Sequence, residues 1–182
     1  MICWRVPAVS LGAICLSLAL LAGCQNTSSK KGLVGSFKIG ERAQVGPLIY
    51  NVYETQYMVT LGEGPEARVP KNRFLLVHLS IVNSGGAAAD QSIPTFTLLD
   101  DADQSYNEMD NGADVPQWLG FSRKVRPAES ATGNIVFDVS PKHYRLRVSD
   151  ELEEHYAFVD LPLTFDTGAP PPQINPATGL PR

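Results

Sequence analysis

The sequence predicts an all-β domain, an antiparallel sandwich of about seven or eight strands, and three observations carry that prediction. Apolar residues recur at every second position through the middle of the chain, where an amphipathic helix would space them by 3.6. Glycine and proline, 15 and 14 of 182 residues, suit strands joined by many turns and exclude a helical bundle. The turn signals also fall at roughly regular intervals, as in sandwiches.

The chain opens differently. Arg5 is the only charge in residues 1–23, and Val6 to Gly23 is an 18-residue run whose only ionisable side chain is the Cys15 thiol. This is the pattern of an export segment. It ends in Leu21-Ala22-Gly23-Cys24, which resembles the bacterial lipobox and implies cleavage before Cys24 and acylation of its thiol. A membrane-spanning anchor has no use for that tetrapeptide followed by polar Gln25-Asn26-Thr27-Ser28-Ser29. Cys3 and Cys15 leave with the leader, so the mature domain has no free thiol, no intrachain disulfide and no thiolate metal ligand. Loss of Arg5 leaves 14 basic against 19 acidic residues, a charge of −5, which disfavours nucleic acid as a partner. Gln25 stands where an inner-membrane retention signal would place aspartate, so an outer membrane is favoured if the cell has two.

Residues 24–36 are small and polar, the composition of a lipidated tether. Residues 37–165 form the predicted domain. Arg42 to Val45 reaches a Gly46-Pro47 turn, and Leu48 begins a long strand to about Thr60, broken at Gly62-Glu63-Gly64-Pro65. Asn72 to Asn83 alternates most clearly, with Leu75, Val77, Leu79 and Ile81 on the core face and Phe74, Leu76, His78, Ser80 and Val82 opposite. Thr95 to Leu99 and Ser105 to Met109 flank a turn at Asp100-Asp101-Ala102-Asp103-Gln104. Thr132 to Val139, Tyr144 to Val148 and Tyr156 to Leu161 complete the set. Residues 166–182 hold five prolines and cannot join a sheet centre, because proline lacks the amide donor.

Gly46-Pro47-Leu48, Pro70 to Val77 leading into Ile81-Val82-Asn83, Phe96 to Asp100, and Arg126-Pro127-Ala128-Glu129-Ser130 before Gly133 to Val139 together resemble the telokin-like family of bacterial lipoproteins. This domain-of-unknown-function family is related in fold to immunoprotective extracellular antigens, and the resemblance covers about Ile39 to Leu161. It implies an immunoglobulin-like sandwich and supplies no catalytic residue. One turn departs from the family, reading Arg126-Pro127-Ala128-Glu129 where Pro-Gly-Glu is more frequent.

Enzyme motifs are absent: there is no Gly-x-Ser-x-Gly, no His-Glu-x-x-His and no phosphate-binding glycine loop. His78 lies on a strand and His143 and His155 near turns, with no local pattern of a catalytic group. Charge is strongly polarised along the chain. Phe74 to Ser122 carries seven acids and no Lys or Arg, whereas Arg123 to Arg147 carries six bases against Glu129 and Asp138. Asp101-x-Asp103-x-Ser105 begins like a calcium loop but has Tyr106 where glycine is needed and Gly112 where a bidentate glutamate belongs. The alternatives there are a looser cation site and a solvated turn whose acids pair with the later basic strands.

Trp118 is the mature chain's only tryptophan, within the apolar segment Val115 to Phe121. Trp118 and Phe121 either plug one end of the sandwich or, with Arg123 beside them, anchor a partner. The expectation is a lipid-anchored, non-catalytic binding or scaffolding module facing the periplasm or exterior, attached to membrane through Cys24 and contacting an envelope protein, with no cofactor or metal. The alternatives are a lipoprotein taking a divalent cation or small polar solute through its acidic loops and, third, an envelope enzyme.

Overall fold

The computed structural model describes residues 32–85 and 90–163. The export segment, Cys24 and the proline-rich tail lie outside the described residues.

Among the described residues eleven strands run in chain order: β1 (Gly32–Lys38), β2 (Arg42–Val45), β3 (Leu48–Met58), β4 (Phe74–Asn83), β5 (Gln91–Ile93), β6 (Thr97–Leu99), β7 (Ser105–Asn107), β8 (Arg123–Val125), β9 (Ser130–Asp138), β10 (Tyr144–Ser149) and β11 (His155–Leu161). A short 3-10 turn at Gly64–Glu66 occupies the break predicted after β3. One sheet has the order β1-β11-β10-β6-β7, the second β2-β3-β4-β9, and β5 pairs with β8 as a separate ribbon. β1 joins β11 in parallel, and the other pairings are antiparallel. The architecture is a β-sandwich, as the alternation predicts.

The strand count exceeds the seven or eight expected because β1, β5 and β8 left no local signal. β5 and β8 are three residues each, too short to show a period. β1 reads Gly-Leu-Val-Gly-Ser-Phe-Lys and has tether composition, yet it pairs with β11 from Gly32↔His155 to Lys38↔Asp160. The tether expected through Ser36 is corrected accordingly: the fold starts by Gly32, because a partner strand more than 120 residues later in sequence satisfies the strand's backbone.

The core lies between the sheets. Leu75, Val77, Leu79 and Ile81 of β4 face it as expected, meeting Leu146 and Val148 of β10 and Val159 of β11 in one buried cluster. β4 is buried on its other face too, where Phe74 and Leu76 join Leu61, Val115 and Val136. Arg68 fastens the covering loop by donating to the carbonyls of Asn111 and Ala113 at 3.1 and 2.7 Å. This second cluster explains why β4 is a nearly continuous apolar run.

The β8–β9 connection settles the departing turn. Glu129 N–H donates to the Arg126 carbonyl at 3.1 Å, and Ala128, its third residue, has φ +61°. Pro127 cannot take positive φ, so this is a type II turn, whose third position favours glycine. Ala128→Gly relieves that strain and is expected to stabilise the domain by about 1 kcal/mol, read from the urea midpoint.

Folding reunites the charges that the sequence separates. Lys142 meets Asp100 at 2.6 Å, His143 meets Asp101 at 2.6 Å, and Arg145 meets Asp103 at 2.5 Å. The Lys142 ammonium, helped by the Gln104 and Ala102 amides and the Tyr106 hydroxyl, holds the Asp100 carboxyl down at about 2. Asp100 in turn raises Lys142. His143 is raised by its bond to Asp160 and then by Asp101, so its ring is biased toward the cation. Among the described residues no group of three or more His, Cys, Asp or Glu is placed to hold a metal ion.

Candidate functional site

Residues 110–125 cross from the outer face of the β4–β9 sheet to the β5–β8 ribbon, and the three side chains singled out from the sequence sit in different surroundings. Trp118 belongs to a strap over the edge strand β9. Asn134 N–H donates to the Gln117 carbonyl at 2.9 Å, Leu119 N–H donates to the Asn134 carbonyl at 3.0 Å, and the Asn134 side-chain amide donates to the Pro116 carbonyl at 2.7 Å. The strap blunts an edge that is otherwise open to further pairing.

Two glycines allow this close approach. A Cβ on Gly133 would lie 2.3 Å from the Gln117 carbonyl oxygen, and one on Gly112 would lie 1.8 Å from the Trp118 indole. The indole is therefore laid flat against backbone and remains 36% exposed. Gly112→Ala is expected to lift the ring into water and shift the emission of this tryptophan to the red, with the core left folded. An unchanged spectrum contradicts this packing.

Phe121 is 37% exposed and stands between two open clefts. The larger, about 520 Å³, is lined by Thr95, Thr97, Asn107, Met109, Asp110 and Glu153, among others. The smaller, about 350 Å³, is lined by Ser92 to Thr95, Ser122 to Lys124, Glu151 and Glu153. Ser92 N–H donates to Glu151 at 3.2 Å, tying the β5–β8 ribbon to the β10–β11 turn.

Arg123 supports this surface from below, and its side chain is only 4% exposed. Its Nη2 donates to Glu108 Oε2 at 2.6 Å, its Nε donates to the Gly120 carbonyl at 2.6 Å, and its guanidinium lies 4.9 Å from the centre of the Phe96 ring. Glu108 Oε1 accepts from Phe96 N–H at 2.9 Å. Burial pushes the Glu108 carboxyl above its ordinary range, and Arg123 draws it back. Arg123, expected beside the aromatics as an anchor, thus points inward and fixes the Gly120–Phe121 backbone. Its Nη1 is buried without a hydrogen-bond partner.

The structure brings Phe121 and Arg123 to one cleft and places Trp118 on the strap. Sequence reasoning missed Leu152, which is 76% exposed and lies between cleft residues Glu151 and Glu153. Its signal was a lone apolar residue in the acidic turn Asp150-Glu151-Leu152-Glu153-Glu154. The histidines are engaged in structural contacts: His78 with Asn134 at 3.0 Å and with its ring tilted against that of Tyr53, His143 between Asp101 and Asp160, and His155 with Asp150 at 2.7 Å.

The sequence profile of a domain of unknown function, DUF4352, matches residues 37–156. No curated protein matches the chain. Among solved structures, the chain is similar to the yjhA protein of Bacillus subtilis, with a TM-score of 0.54 and 20% identity over 69% of this chain and 98% of that one. It is also similar to a candidate lipoprotein of the same organism, ycdA, with a TM-score of 0.50 and 15% identity. That match covers 69% of this chain and 39% of the other. At these identities the likenesses establish the fold.

Proposed function

The chain belongs to the DUF4352 family, and from that premise we propose that it is a non-catalytic binding module of a bacterial cell envelope, anchored through lipid on Cys24. The observation that carries the binding role is Phe121, an aromatic side chain held half-exposed between two open clefts by a buried ion pair. Keeping such a ring in water costs free energy that a contacting partner returns. The anchoring rests on residues 1–24: an uncharged apolar run, Leu-Ala-Gly-Cys, then polar residues. The fold likeness to a protein named as a candidate lipoprotein agrees with it. In this reading residues 1–23 are removed, residues 25–31 tether the sandwich, and the fold is of the telokin-like, immunoglobulin-like kind. An outer-membrane location follows from Gln25 where the cell has two membranes.

Metabolic labelling with a radioactive fatty acid tests the anchor. The wild-type chain is expected to take up label and to run as a processed form. Cys24→Ala is expected to take up none and to accumulate as the precursor, because its thiol is the acyl acceptor. Label on the Cys24→Ala chain defeats the assignment.

A further inference from the structure

The loop that covers the outer face of β4 stops partway along it. Val115 closes over Phe74 and Leu76 in the second apolar cluster. At the next two residues, Pro116 and Gln117, the cover ends, and a cleft of about 370 Å³ opens between them and Glu54, Gln56, Leu76, His78 and Asn134. That volume falls within the roughly 300–1,000 Å³ of small-ligand sites. None of these residues lines the clefts beside Phe121.

Two backbone irregularities bring side chains to this cleft. β3 carries a bulge: Val52 pairs with Leu79 and Glu54 with His78, which leaves Tyr53 as the extra residue between them. Tyr53 and Glu54 consequently both stand on the outer face. The Tyr53 hydroxyl lies 2.8 Å from that of Ser80, and its half-exposed ring is centred 5.7 Å from that of His78. Gln117 has φ +46°, a costly backbone for a residue with a Cβ, and its carbonyl is held by Asn134 N–H at 2.9 Å.

The polar groups of the cleft are oriented without being used up. The Asn134 side-chain amide donates to the Pro116 carbonyl at 2.7 Å, so its Oδ1 faces His78 and accepts from Nδ1 at 3.0 Å. In the neutral ring that tautomer leaves Nε2 as an acceptor. Among the described residues neither Nε2 nor the side chains of Glu54, Gln56 and Gln117 have a hydrogen-bond partner. An apolar ligand would bury these groups unpaired. Glu54 is the only carboxylate in the lining, and as a single exposed charge it repels an anion and attracts a cation weakly. The complementary ligand is neutral, carries groups that both donate and accept, and offers apolar surface to Leu76, Pro116 and the Tyr53 ring. A saccharide has both properties, in its hydroxyls and in the C–H faces of its rings.

We propose that the cleft beside Gln117 binds a neutral saccharide, with Glu54, Gln56, Gln117 and His78 Nε2 taking its hydroxyls and the Tyr53 ring taking a C–H face. The site is independent of the Phe121 clefts. In the test the full chain, in a detergent without a sugar headgroup, is passed over immobilised trisaccharides of glucose, of N-acetylglucosamine and of mannose. A galacturonate trisaccharide and a serine–asparagine peptide serve as comparators. At least one neutral trisaccharide is expected to bind, and neither comparator is. Gln56→Ala and Gln117→Gly are each expected to weaken binding about tenfold, the loss of roughly one net hydrogen bond. Their urea midpoints are expected to stay near wild type, because both side chains are exposed and glycine accepts the φ of position 117. Tyr53→Ser is expected to remove most of the binding and Tyr53→Phe to restore it, which a role played only through the Ser80 hydroxyl does not allow. Phe121→Ser is expected to change nothing. Failure of every neutral trisaccharide to bind, preference for galacturonate or for the peptide, or binding indifferent to both glutamine variants overturns the proposal. A Tyr53→Phe chain that binds no better than Tyr53→Ser overturns the stacking role of the ring.

Discussion

Leu79→Asp is expected to leave the sandwich unfolded at neutral pH, whereas Thr132→Asp is expected to fold with a urea midpoint close to wild type. Leu79 is wholly buried in the centre of β4, paired with Val52 on one side and Gly133 on the other. An aspartate there places a carboxylate among Val77, Ile81 and the facing sheet with no cation in reach. The cost exceeds the roughly 2–5 kcal/mol of the Leu79→Ala cavity and takes up most of a small domain's stability of about 5–15 kcal/mol. Thr132 is the proper control because it is exposed on the outer face of edge strand β9. Ser80, the outward neighbour that the alternation offers, is a poorer one. It is only 6% exposed and its hydroxyl is bonded to Tyr53 at 2.8 Å. A cooperative Leu79→Asp transition at the wild-type midpoint means that the strand faces the other way.

Arg123→Met is expected to cost about 3–5 kcal/mol, because it leaves the Glu108 carboxylate buried and unpaired. Arg123→Met with Glu108→Gln recovers most of that loss, since the amide oxygen still accepts from Phe96 N–H. The single variant carries a pH signature. Burial already raises Glu108 above its ordinary value of 4.5, and Arg123 is what lowers it, so without Arg123 it rises further. A carboxyl raised in the folded state favours folding when protonated. The variant therefore loses stability as pH rises from about 4.5 through the folded value, and its deficit is smaller at pH 5 than at pH 8. A deficit independent of pH means that Glu108 is not the group left stranded.

The same ion pair shows why the candidate site was only partly legible. Arg123 looks like a surface arginine in sequence, since Phe121, Ser122 and Lys124 around it read as a loop. Nothing within several residues announces that Glu108 and Phe96 will close over it. Trp118 gave no local sign of its seat either, because that seat is made by Gly112 and by Asn134 of a strand that follows it. Phe121 is legible from composition alone, and Leu152 is not, because it is a single apolar residue in an acidic turn with no motif around it.

What the sequence determined by itself is whatever depends on near neighbours: the alternation that made β3, β4, β9, β10 and β11 strands, the face of β4 that enters the core, the turn at Asp100 to Gln104 and the uncharged apolar composition of Val6 to Gly23. Each is set by steric and solvation preferences acting over a few residues. The tertiary structure decided what depends on distant partners. It recruited Gly32–Lys38 as a strand through β11, buried Phe74 and Leu76 beneath a second cluster, and matched Asp100, Asp101 and Asp103 with Lys142, His143 and Arg145. A charge or a strand edge is satisfied by whichever group the fold brings within about 3 Å, and only the closed sandwich specifies that group.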